Sequence, residues 1–454
     1  MSHFTTDRRA FLAKLGVLGA SAWASGLAFG NVDVPKDEEK LAIDGGKPVR
    51  EKMLAARPYG PQFYDDREKT ELIEVLESRQ PFRWWHGNSK VLQFEQAYAA
   101  HLGVKYALGV TSGTTALVTA MAALEVGPGD EVILPAWTWY ADYDAIVLAG
   151  ALPVFAEVDE SFNIDPNDIE AKITPQTKAV IVCHLQGTPA DLEPIMAIAK
   201  KHGVRVLEDF AQCVGGKYKG RYVGTMGDIG INSFQLSKTI TSGEGGAVVT
   251  NDATLFERAL RFHDVGSLRS PYTDLLKGGL LAAFAGCNFR MSEFTGAVLK
   301  AQLEKLETIC AKVRANARFV REGLSDLPGI KFRKSPDIDG DIGVGVYLDL
   351  GNRARRDRFL RALRAEGVSA VGPVGSVILP TDKRIENKVT VHPEWPSFRS
   401  QRGREIQYGA ACCPRTIDII NRFGGVIIDP NFTEDELKDI VHAMRKVYLA
   451  TRDV

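Results

Sequence analysis

Between residues 100 and 250 the sequence alternates between short runs of apolar, β-prone residues and longer segments with helical spacing. The short runs occupy residues 106–110, 131–134, 152–155, 179–183, 204–207 and 246–249. Runs that are apolar throughout predict strands covered on both faces, and their alternation with helices predicts a mostly parallel α/β sheet. Ligands of such sheets bind beyond the carboxyl ends of the strands, so the side chains that follow each run are the first candidates for chemistry.

The length of the chain predicts more than one domain. Its 454 residues, 45% of them hydrophobic, exceed the roughly 100–200 residues usual for one domain. Apolar residues at helical spacing predict a long helix over 292–324, with further helices over 353–366 and 433–449. We therefore predict a large α/β domain over residues 41–300 and a smaller α+β domain over residues 301–454.

The first thirty residues differ in character from the rest. Arg8-Arg9-Ala10-Phe11-Leu12 precedes a small, apolar stretch that runs to about Phe29. This layout predicts a signal peptide over residues 1–30, similar to a Tat signal and followed by a polar linker over 31–40. Export to the periplasm follows, without a stable membrane anchor, because the apolar run is shorter than the roughly 20 residues of a spanning helix. The alternative is an ordinary basic start followed by a buried helix, which predicts a cytoplasmic protein.

Charge and cysteine content exclude several classes of function. The formal charge of −1 gives no clustered basic surface for nucleic acid, whose binding requires Lys and Arg to displace counterions. Six cysteines are scattered without a CxxC pair, so neither a metal site nor a disulfide scaffold is predicted. A small-molecule partner is the expectation that remains.

Two segments that follow predicted strands carry candidate binding groups. The loop around Gly113 and Thr114 follows the first run and opens an Ala-rich helix, whose N–H groups can bind an anion. By itself this loop could be only a helix cap. Asp209 follows the fifth run, where a carboxylate can hold a pyridine nitrogen protonated. Its alternative is a surface acid that caps the next helix.

Lys238 is the candidate nucleophile. It lies between a β-rich run and the glycine-rich turn around Gly243, Gly245 and Gly246. Burial depresses the pKa of a lysine, and the free amine can then form an imine with an aldehyde. A lone lysine is usually a solvated surface charge. The order of an anion loop, a strand-end acid and then this lysine favours the catalytic interpretation.

Several stretches together resemble the DegT/StrS family of sugar aminotransferases, which are pyridoxal 5'-phosphate enzymes of fold-type I. The resemblance covers residues 41–449 and rests on TSGTTAL, LP-x-x-T-W at 134–139, His184 with Gly187, EDFAQ, SFQLSKTITSGEGGAVVT and GCNFRMSEF. It implies a large domain with a mostly parallel sheet between helices and a smaller C-terminal domain. Cys413-Pro414-Arg415-Thr416 and the SFQ-x-SK pattern are most similar to the glutamine:scyllo-inosose aminotransferases and aminohydroxybenzoate synthases.

The resemblance implies a role for each matching residue around the cofactor ring. Lys238 would hold pyridoxal 5'-phosphate as a Schiff base, and Asp209 would pair with the ring nitrogen. Gln212 would lie near the phenolic oxygen. Trp139 would stack on the ring, since it matches the position of the stacking aromatic residue better than Trp137.

The remaining roles concern the phosphate, the second subunit and the substrate. By resemblance, Gly113, Thr114 and Ser233 would hold the phosphate, while Asn288 would reach the phosphate of a neighbouring subunit in a homodimer with shared active sites. His184 is a candidate substrate contact, with a structural histidine at the end of a strand as its alternative.

These resemblances predict a transaminase that moves an amino group from glutamine or glutamate to a keto-sugar or keto-cyclitol such as scyllo-inosose. One alternative is a sugar dehydratase of the same fold, although relatives with that activity commonly have histidine in place of Lys238. Another is an exported binding or sensor protein that has lost turnover. The intact Lys238 and Asp209 favour the transaminase.

Overall fold

The computed structural model describes residues 39–84 and 89–453. Its strands, in chain order, are β1 (Tyr106–Val110), β2 (Glu131–Pro135), β3 (Trp137–Thr138), β4 (Leu152–Ala156), β5 (Thr177–Cys183), β6 (Arg205–Asp209), β7 (Lys217–Tyr218), β8 (Arg221–Tyr222), β9 (Ile229–Ser233), β10 (Gly246–Thr250), β11 (Gly345–Asp349), β12 (Val377–Ile378) and β13 (Phe423–Ile427). Seven of these form a central sheet in the order β1-β10-β9-β6-β5-β2-β4. The pairs from β9 to β4 are parallel, and β10 is antiparallel to β1 and β9. The predicted mostly parallel α/β sheet is confirmed.

Helices cover the sheet and continue into the C-terminal part of the chain. The α-helices are α1 (Asp66–Ser78), α2 (Lys90–Leu102), α3 (Gly113–Ala123), α4 (Tyr140–Leu148), α5 (Pro166–Lys172), α6 (Leu192–His202), α7 (Ala253–His263), α8 (Tyr272–Leu275), α9 (Glu293–Leu303), α10 (Leu306–Glu322), α11 (Arg353–Ala365), α12 (Lys383–Glu386), α13 (Gln401–Glu405), α14 (Pro414–Arg422) and α15 (Glu434–Ala450). Single 3₁₀ turns occupy Ala42–Asp44, Gly60–Phe63, Leu185–Gly187, Leu379–Thr381, Pro396–Phe398 and Ala410–Cys412.

Strand β5 shows why the predicted runs are apolar throughout. Val180 and Val182 belong to the hydrophobic core on one side of the sheet, whereas Ala179 and Ile181 belong to the core on the other side. Successive side chains of a strand point to opposite faces, so a strand that is covered twice needs an apolar residue at every position. The sheet is thus a buried wall whose strand ends are free to carry polar groups.

A smaller sheet lies in the C-terminal part of the chain. Strands β11 and β13 pair antiparallel, and helices α11 and α15 pack together beside them. Residues 41–54 contact this unit, since the Leu54 N–H donates to the Gly367 carbonyl at 2.8 Å and the Arg50 N–H donates to the Glu366 carbonyl at 3.0 Å. The predicted boundary at residue 300 stays a prediction.

The long helix predicted over 292–324 is wrong in one respect, because two helices, α9 and α10, occupy this stretch. The break falls at Lys305, which is 4% exposed. Its Nζ donates to both carboxylate oxygens of Glu68, at 2.6 and 2.7 Å, and to the Phe63 carbonyl at 2.6 Å. No helix-breaking residue marks the site, so the bend coincides with a tertiary contact that apolar spacing does not predict.

The predicted signal peptide and residues 31–38 of the predicted linker lie outside the described residues. Within residues 39–84 and 89–453, no helix is both long enough and apolar enough to cross a membrane.

Candidate active site

A cavity of about 790 Å³ opens at the carboxyl ends of β6 and β9. Its volume falls in the range of small-molecule sites. Eight of the nine predicted site residues line it: Gly113, Thr114, Trp139, His184, Asp209, Gln212, Ser233 and Lys238. Residues that are distant in the sequence thus meet where parallel sheets bind ligands.

One wall of the cavity is the amino end of α3. The Ser112 side chain caps this helix by accepting from the Thr115 N–H at 3.1 Å, and Thr115 Oγ1 accepts from the Ser112 N–H at 2.9 Å. The N–H groups of Gly113 and Thr114, in the first turn, have no acceptor within the helix. Helix dipole and free N–H groups together make this end an anion-binding site.

Gly113 approaches Ser233 too closely for any other residue. A Cβ atom at position 113 would lie 2.6 Å from Ser233 Cβ and 3.0 Å from its Oγ. Glycine therefore brings the first turn of α3 against the end of β9, and the Ser233 hydroxyl lies beside the free N–H groups. This arrangement fits the phosphate group that the family resemblance implies for Gly113, Thr114 and Ser233.

Two tryptophans precede α4, and their environments differ. Trp137 is 1% exposed and packs edge-on against Phe162, with ring centroids 5.6 Å apart. Trp139 is 52% exposed and lines the cavity. A large apolar ring left uncovered at a cavity wall is available to stack on a planar ligand. The structure thus gives Trp139 the surroundings that its predicted role requires.

Asp209 lies at the end of β6 beside a second buried acid. One ligand atom from each of Asp142, Cys183 and Asp209 lies within 4.8 Å of the others. Asp142 Oδ2 accepts from Thr138 Oγ1 at 2.5 Å and from Cys183 Sγ at 3.3 Å, and Asp209 Oδ1 accepts from the Ala211 N–H at 2.8 Å. Burial raises the pKa of both carboxyls, that of Asp142 well above its ordinary value, and the charge of Asp209 adds to the effect on Asp142.

Lys238 lies in the loop between β9 and β10, where its N–H donates to the Gln235 carbonyl at 2.9 Å. The side chain is half-buried at the cavity wall. Burial lowers the pKa of the Lys238 amine, against the opposing charges of Asp209 and Asp142. More of this amine is therefore unprotonated at neutral pH than in a free lysine, as a nucleophile requires.

Gln212 joins the cavity floor to a C-terminal segment, residues 374–378, which we call the strap. Its Nε2 donates to the Gly375 carbonyl at 2.9 Å and to Ser376 Oγ at 3.1 Å. Gln186 supports the same segment by donating from its side chain to the Val374 carbonyl, while its Oε1 accepts from Tyr347 Oη at 2.7 Å. The last two residues of the strap form β12, which pairs with β3 next to Trp139.

His184 has protein partners on both ring nitrogens. The side chain is fully buried, Nε2 lies 3.1 Å from Glu208 Oε2, and Nδ1 accepts from the Ala190 N–H at 3.0 Å. A ring that is held in this way orients neighbouring backbone and has no nitrogen left for a ligand. The geometry favours the structural alternative over a substrate contact.

Asn288, the ninth predicted residue, does not line the cavity of its own chain. It is exposed in an extended segment that bridges to Asp264, and its Oδ1 accepts from the Arg290 N–H at 3.4 Å. This position agrees with the prediction that it serves a neighbouring subunit, which stays a prediction.

Sequence reasoning missed several groups at the cavity. Arg57 and Glu244 line it as exposed charged side chains. Gln186 also lines the cavity, and Asp142 contacts the cluster around Asp209. The only sequence signal for Asp142 was its place four residues after Thr138, in the first turn of a helix that starts between them. For Gln186 the signal was its neighbour Gly187, which indicates a turn but not the buried amide.

Comparison with known proteins gives this arrangement a context. The model of the DegT/DnrJ/EryC1/StrS aminotransferase family matches residues 64–372. An L-glutamine:2-deoxy-scyllo-inosose aminotransferase of Micromonospora echinospora is 38% identical over 439 residues, 91% of this chain and 99% of that protein. The GDP-perosamine synthase of Escherichia coli O157:H7 is 39% identical over 353 residues, 75% of this chain and 93% of that protein. The crystal structure of 3-amino-5-hydroxybenzoic acid synthase matches with a TM-score of 0.70 and 29% identity, covering 88% of this chain and 99% of that chain.

Proposed function

Because the chain belongs to the DegT/DnrJ/EryC1/StrS aminotransferase family, we propose that it uses pyridoxal 5'-phosphate to move the amino group of L-glutamine onto a keto-cyclitol. The chain is a transaminase that acts on a keto-sugar or keto-cyclitol. One observation carries the proposal for the cofactor: an amine with a lowered pKa, Lys238, shares a cavity with the strand-end carboxyl of Asp209 and the free amino end of α3.

The residues of the cavity fit each part of pyridoxal 5'-phosphate. The N–H groups of Gly113 and Thr114, with the Ser233 hydroxyl, suit the phosphate. Trp139 suits the face of the ring, and Asp209 suits a protonated ring nitrogen. When bound, the cofactor supplies an aldehyde that carries the amino group and a ring that withdraws electrons from the reacting carbon.

Lys238 has two roles in the proposed amino transfer, as the group that holds the cofactor and as the base. Its unprotonated amine would hold the cofactor through the aldehyde, and when a donor amine has taken its place the same Nζ would be free to take a proton from the donor Cα. Asp209 would keep the ring nitrogen protonated. Gln212, which lines the cavity and donates to the strap at Gly375 and Ser376, would help to orient the ring.

The acceptor class is supported by the relatives and not by a motif in the cavity. Segment 413–416, which resembles the cyclitol branch, is structural: the Thr416 N–H donates to Glu157 Oε2 at 2.7 Å, and the Arg415 guanidinium pairs with Asp165 at 2.5 Å. These contacts hold α14 against the main sheet. Similarity over 99% of a cyclitol aminotransferase therefore supports the cyclitol, and similarity to GDP-perosamine synthase keeps a nucleotide-linked ketone as the competing acceptor.

The half-reactions test this function. The purified chain with pyridoxal 5'-phosphate should show a visible absorption band that bleaches with L-glutamine and returns with scyllo-inosose. Return only with a nucleotide-linked 4-keto sugar would replace the acceptor. Bleaching by L-glutamate but not L-glutamine would replace the donor, and absence of any band would contradict the cofactor.

The phosphate cradle predicts a large effect of one methyl group. Gly113→Ala should weaken binding of pyridoxal 5'-phosphate by about tenfold or more, because the new Cβ must displace Ser233 or the first turn of α3. Equilibrium dialysis measures the effect. Gly127→Ala is the matched control, since its Cβ would have no atom within 4 Å. Equal affinity of both variants would contradict the assigned phosphate position.

We further propose a homodimer in which Asn288 serves the active site of the neighbouring subunit. Lys238→Ala and Asn288→Ala should each be nearly inactive, yet their co-expression should restore about a quarter of the parent activity, because half of the dimers are hybrids with one intact site of two. Activity of the purified mixture, with size-exclusion chromatography, makes the measurement. Absence of recovery would place Asn288 in the service of its own chain.

A further inference from the structure

The acid cluster behind Asp209 contains a group that the mechanism does not use. Asp142 is 0% exposed and lies in the first turn of α4, next to Asp209 and Cys183. Its Oδ2 has two donors, whereas among the described residues its Oδ1 receives no hydrogen bond from an N–H, S–H or hydroxyl donor, and the Asp142 side chain shares a hydrogen bond with the Asp209 carboxyl. A buried carboxyl oxygen without a partner is costly, and a proton on that oxygen would turn it into a donor.

We propose that Asp142 is a positioning residue that stays neutral, donates a hydrogen bond to Asp209, and thereby fixes Asp209 as the one carboxylate that faces the ring nitrogen of the cofactor. This inference rests on the proposed function, because it assigns Asp209 to that nitrogen. The carboxyl groups of Asp142 and Asp209 lie within 4.8 Å of each other in a buried site. They cannot both ionise there, so one of them must hold a proton.

The surroundings decide which acid is neutral. Asp142 receives hydrogen bonds from Thr138 and Cys183, whereas Asp209 accepts from the Ala211 N–H and interacts more strongly with the Lys238 amine than Asp142 does. Among the described elements that pack most closely on α4, none places an unpaired charge here, since α3 and β4 carry no ionisable side chains and Glu131 of β2 pairs with Arg402. The proton therefore belongs on Asp142.

A metal ion is the competing occupant of this cluster, since two carboxyls and a thiol could ligate one. Burial raises the pKa of the Cys183 thiol well above its ordinary value, and the charge of Asp209 adds to this effect. The sulfur thus keeps its proton and donates to Asp142. A neutral acid and a neutral thiol around one carboxylate are a poor cation site.

Infrared spectroscopy of the cofactor-free protein tests the protonation directly. At about pH 8, where ordinary carboxyl groups are ionised, the parent should show the carbonyl stretch of a protonated acid, and Asp142→Asn should lose it. Glu131→Gln is the matched control, a buried carboxylate paired with Arg402 at 3.1 Å, and should keep the band. A band that survives Asp142→Asn, or is absent from the parent, would overturn the proposal.

The stability of the cofactor-free protein gives a second readout that a purely structural role would not move. Because burial first and then the charge of Asp209 raise the pKa of Asp142, folding takes up a proton at this site. Its stabilising contribution is complete below the unfolded pKa of about 4 and is lost as pH rises toward the folded value. Relative to Asp142→Asn, the parent should therefore become progressively less stable from about pH 4 to pH 8. A constant difference would overturn the neutral acid.

The cofactor-bound enzyme tests the link to Asp209. Asn can accept from Thr138 and donate to Asp209, so Asp142→Asn should keep the pH titration of the visible band and the rate of the donor half-reaction within about threefold. Asp142→Ala should shift the titration and slow that half-reaction by about ten- to a hundredfold, the loss expected for a hydrogen bond to a charged group. Equal behaviour of the two variants, or cobalt binding that depends on Cys183 and Asp142, would contradict the proposal. If the infrared spectrum shows the protonated acid but pyridoxal 5'-phosphate gives no visible absorption band, the proposed function is contradicted while the neutral Asp142 stands.

Discussion

Replacing Lys238 with alanine is expected to lower kcat for amino transfer by at least about 10³-fold, because proton transfer by a positioned side chain alone contributes about 10²–10⁴-fold. The covalent attachment of the cofactor is lost as well. The visible band should move to that of unattached pyridoxal 5'-phosphate. Rapid-quench measurement of the donor half-reaction, with thermal unfolding as a check on the fold, separates chemistry from stability.

Two further variants and the addition of a small amine test the predicted role of Lys238. Lys238→Arg keeps the positive charge but cannot release its proton at neutral pH, so it should be as inactive as Lys238→Ala. A small primary amine added to Lys238→Ala should restore part of the rate by supplying the missing base. Lys201→Ala, on an exposed face of α6, should match the parent. Parent-like turnover of Lys238→Ala would contradict the catalytic role of Lys238, whereas absence of turnover in the parent would favour the non-catalytic binding protein.

Removal of the Glu208 carboxylate should destabilise the fold by about 3–5 kcal/mol, the usual effect of breaking a buried charged network. Glu208 is 0% exposed and accepts from the Gly224 and Met226 N–H groups at 2.7 Å each, as well as from the Gly227 N–H at 2.5 Å. His184 completes the set. Glu208→Ala leaves all of these donors buried and unpaired, which urea unfolding of the cofactor-free protein would measure.

The pH dependence of the Glu208 effect has a defined sign. Burial by itself would raise the pKa of this carboxyl, but the hydrogen bond from His184, with those from the backbone donors, holds it below its ordinary value. The contribution of Glu208 is therefore complete above the unfolded pKa of about 4.3 and is lost as pH falls through the folded value. The difference from Glu208→Ala should shrink in acid. Glu193→Ala, an exposed acid paired with Lys219, should leave unfolding unchanged; an equal loss in both variants would contradict the buried network.

The strand-end chemistry was predictable because its signals are local. Asp209 follows an apolar run directly, Lys238 precedes a glycine-rich turn, and Gly113 opens a helix, so each can be read within about ten residues. Parallel sheets then bring strand ends together, whatever the loops between them. The sheet and the meeting of Gly113, Asp209 and Lys238 at one cavity follow from these signals, whereas Trp139, Gln212, Ser233 and His184 were predicted from the family resemblance.

What the sequence did not reveal depends on contacts between distant residues. The role of Asp142 depends on its hydrogen bond from Cys183, 41 residues away, and that of Gln186 on its hydrogen bond to Val374, 188 residues away. Strand β9 was not among the six predicted runs, because its sequence IGINS ends in polar residues. The buried amide of Asn232 is satisfied by Tyr98 Oη at 2.9 Å, a partner that strand patterns do not show.

The strap gives this fold a way to change its acceptor without changing its amine chemistry. Gln186 and Gln212 hold the strap mainly through main-chain carbonyls, of Val374 and Gly375, and β12 adds a main-chain ladder to β3. Such anchors place few demands on the side chains of the strap, except at Gly375, whose positive φ favours glycine. Because Val374 and Gly375 line the cavity, we expect that grafting a relative's strap would reshape the mouth of the cavity while Lys238 and Asp209 stay in place.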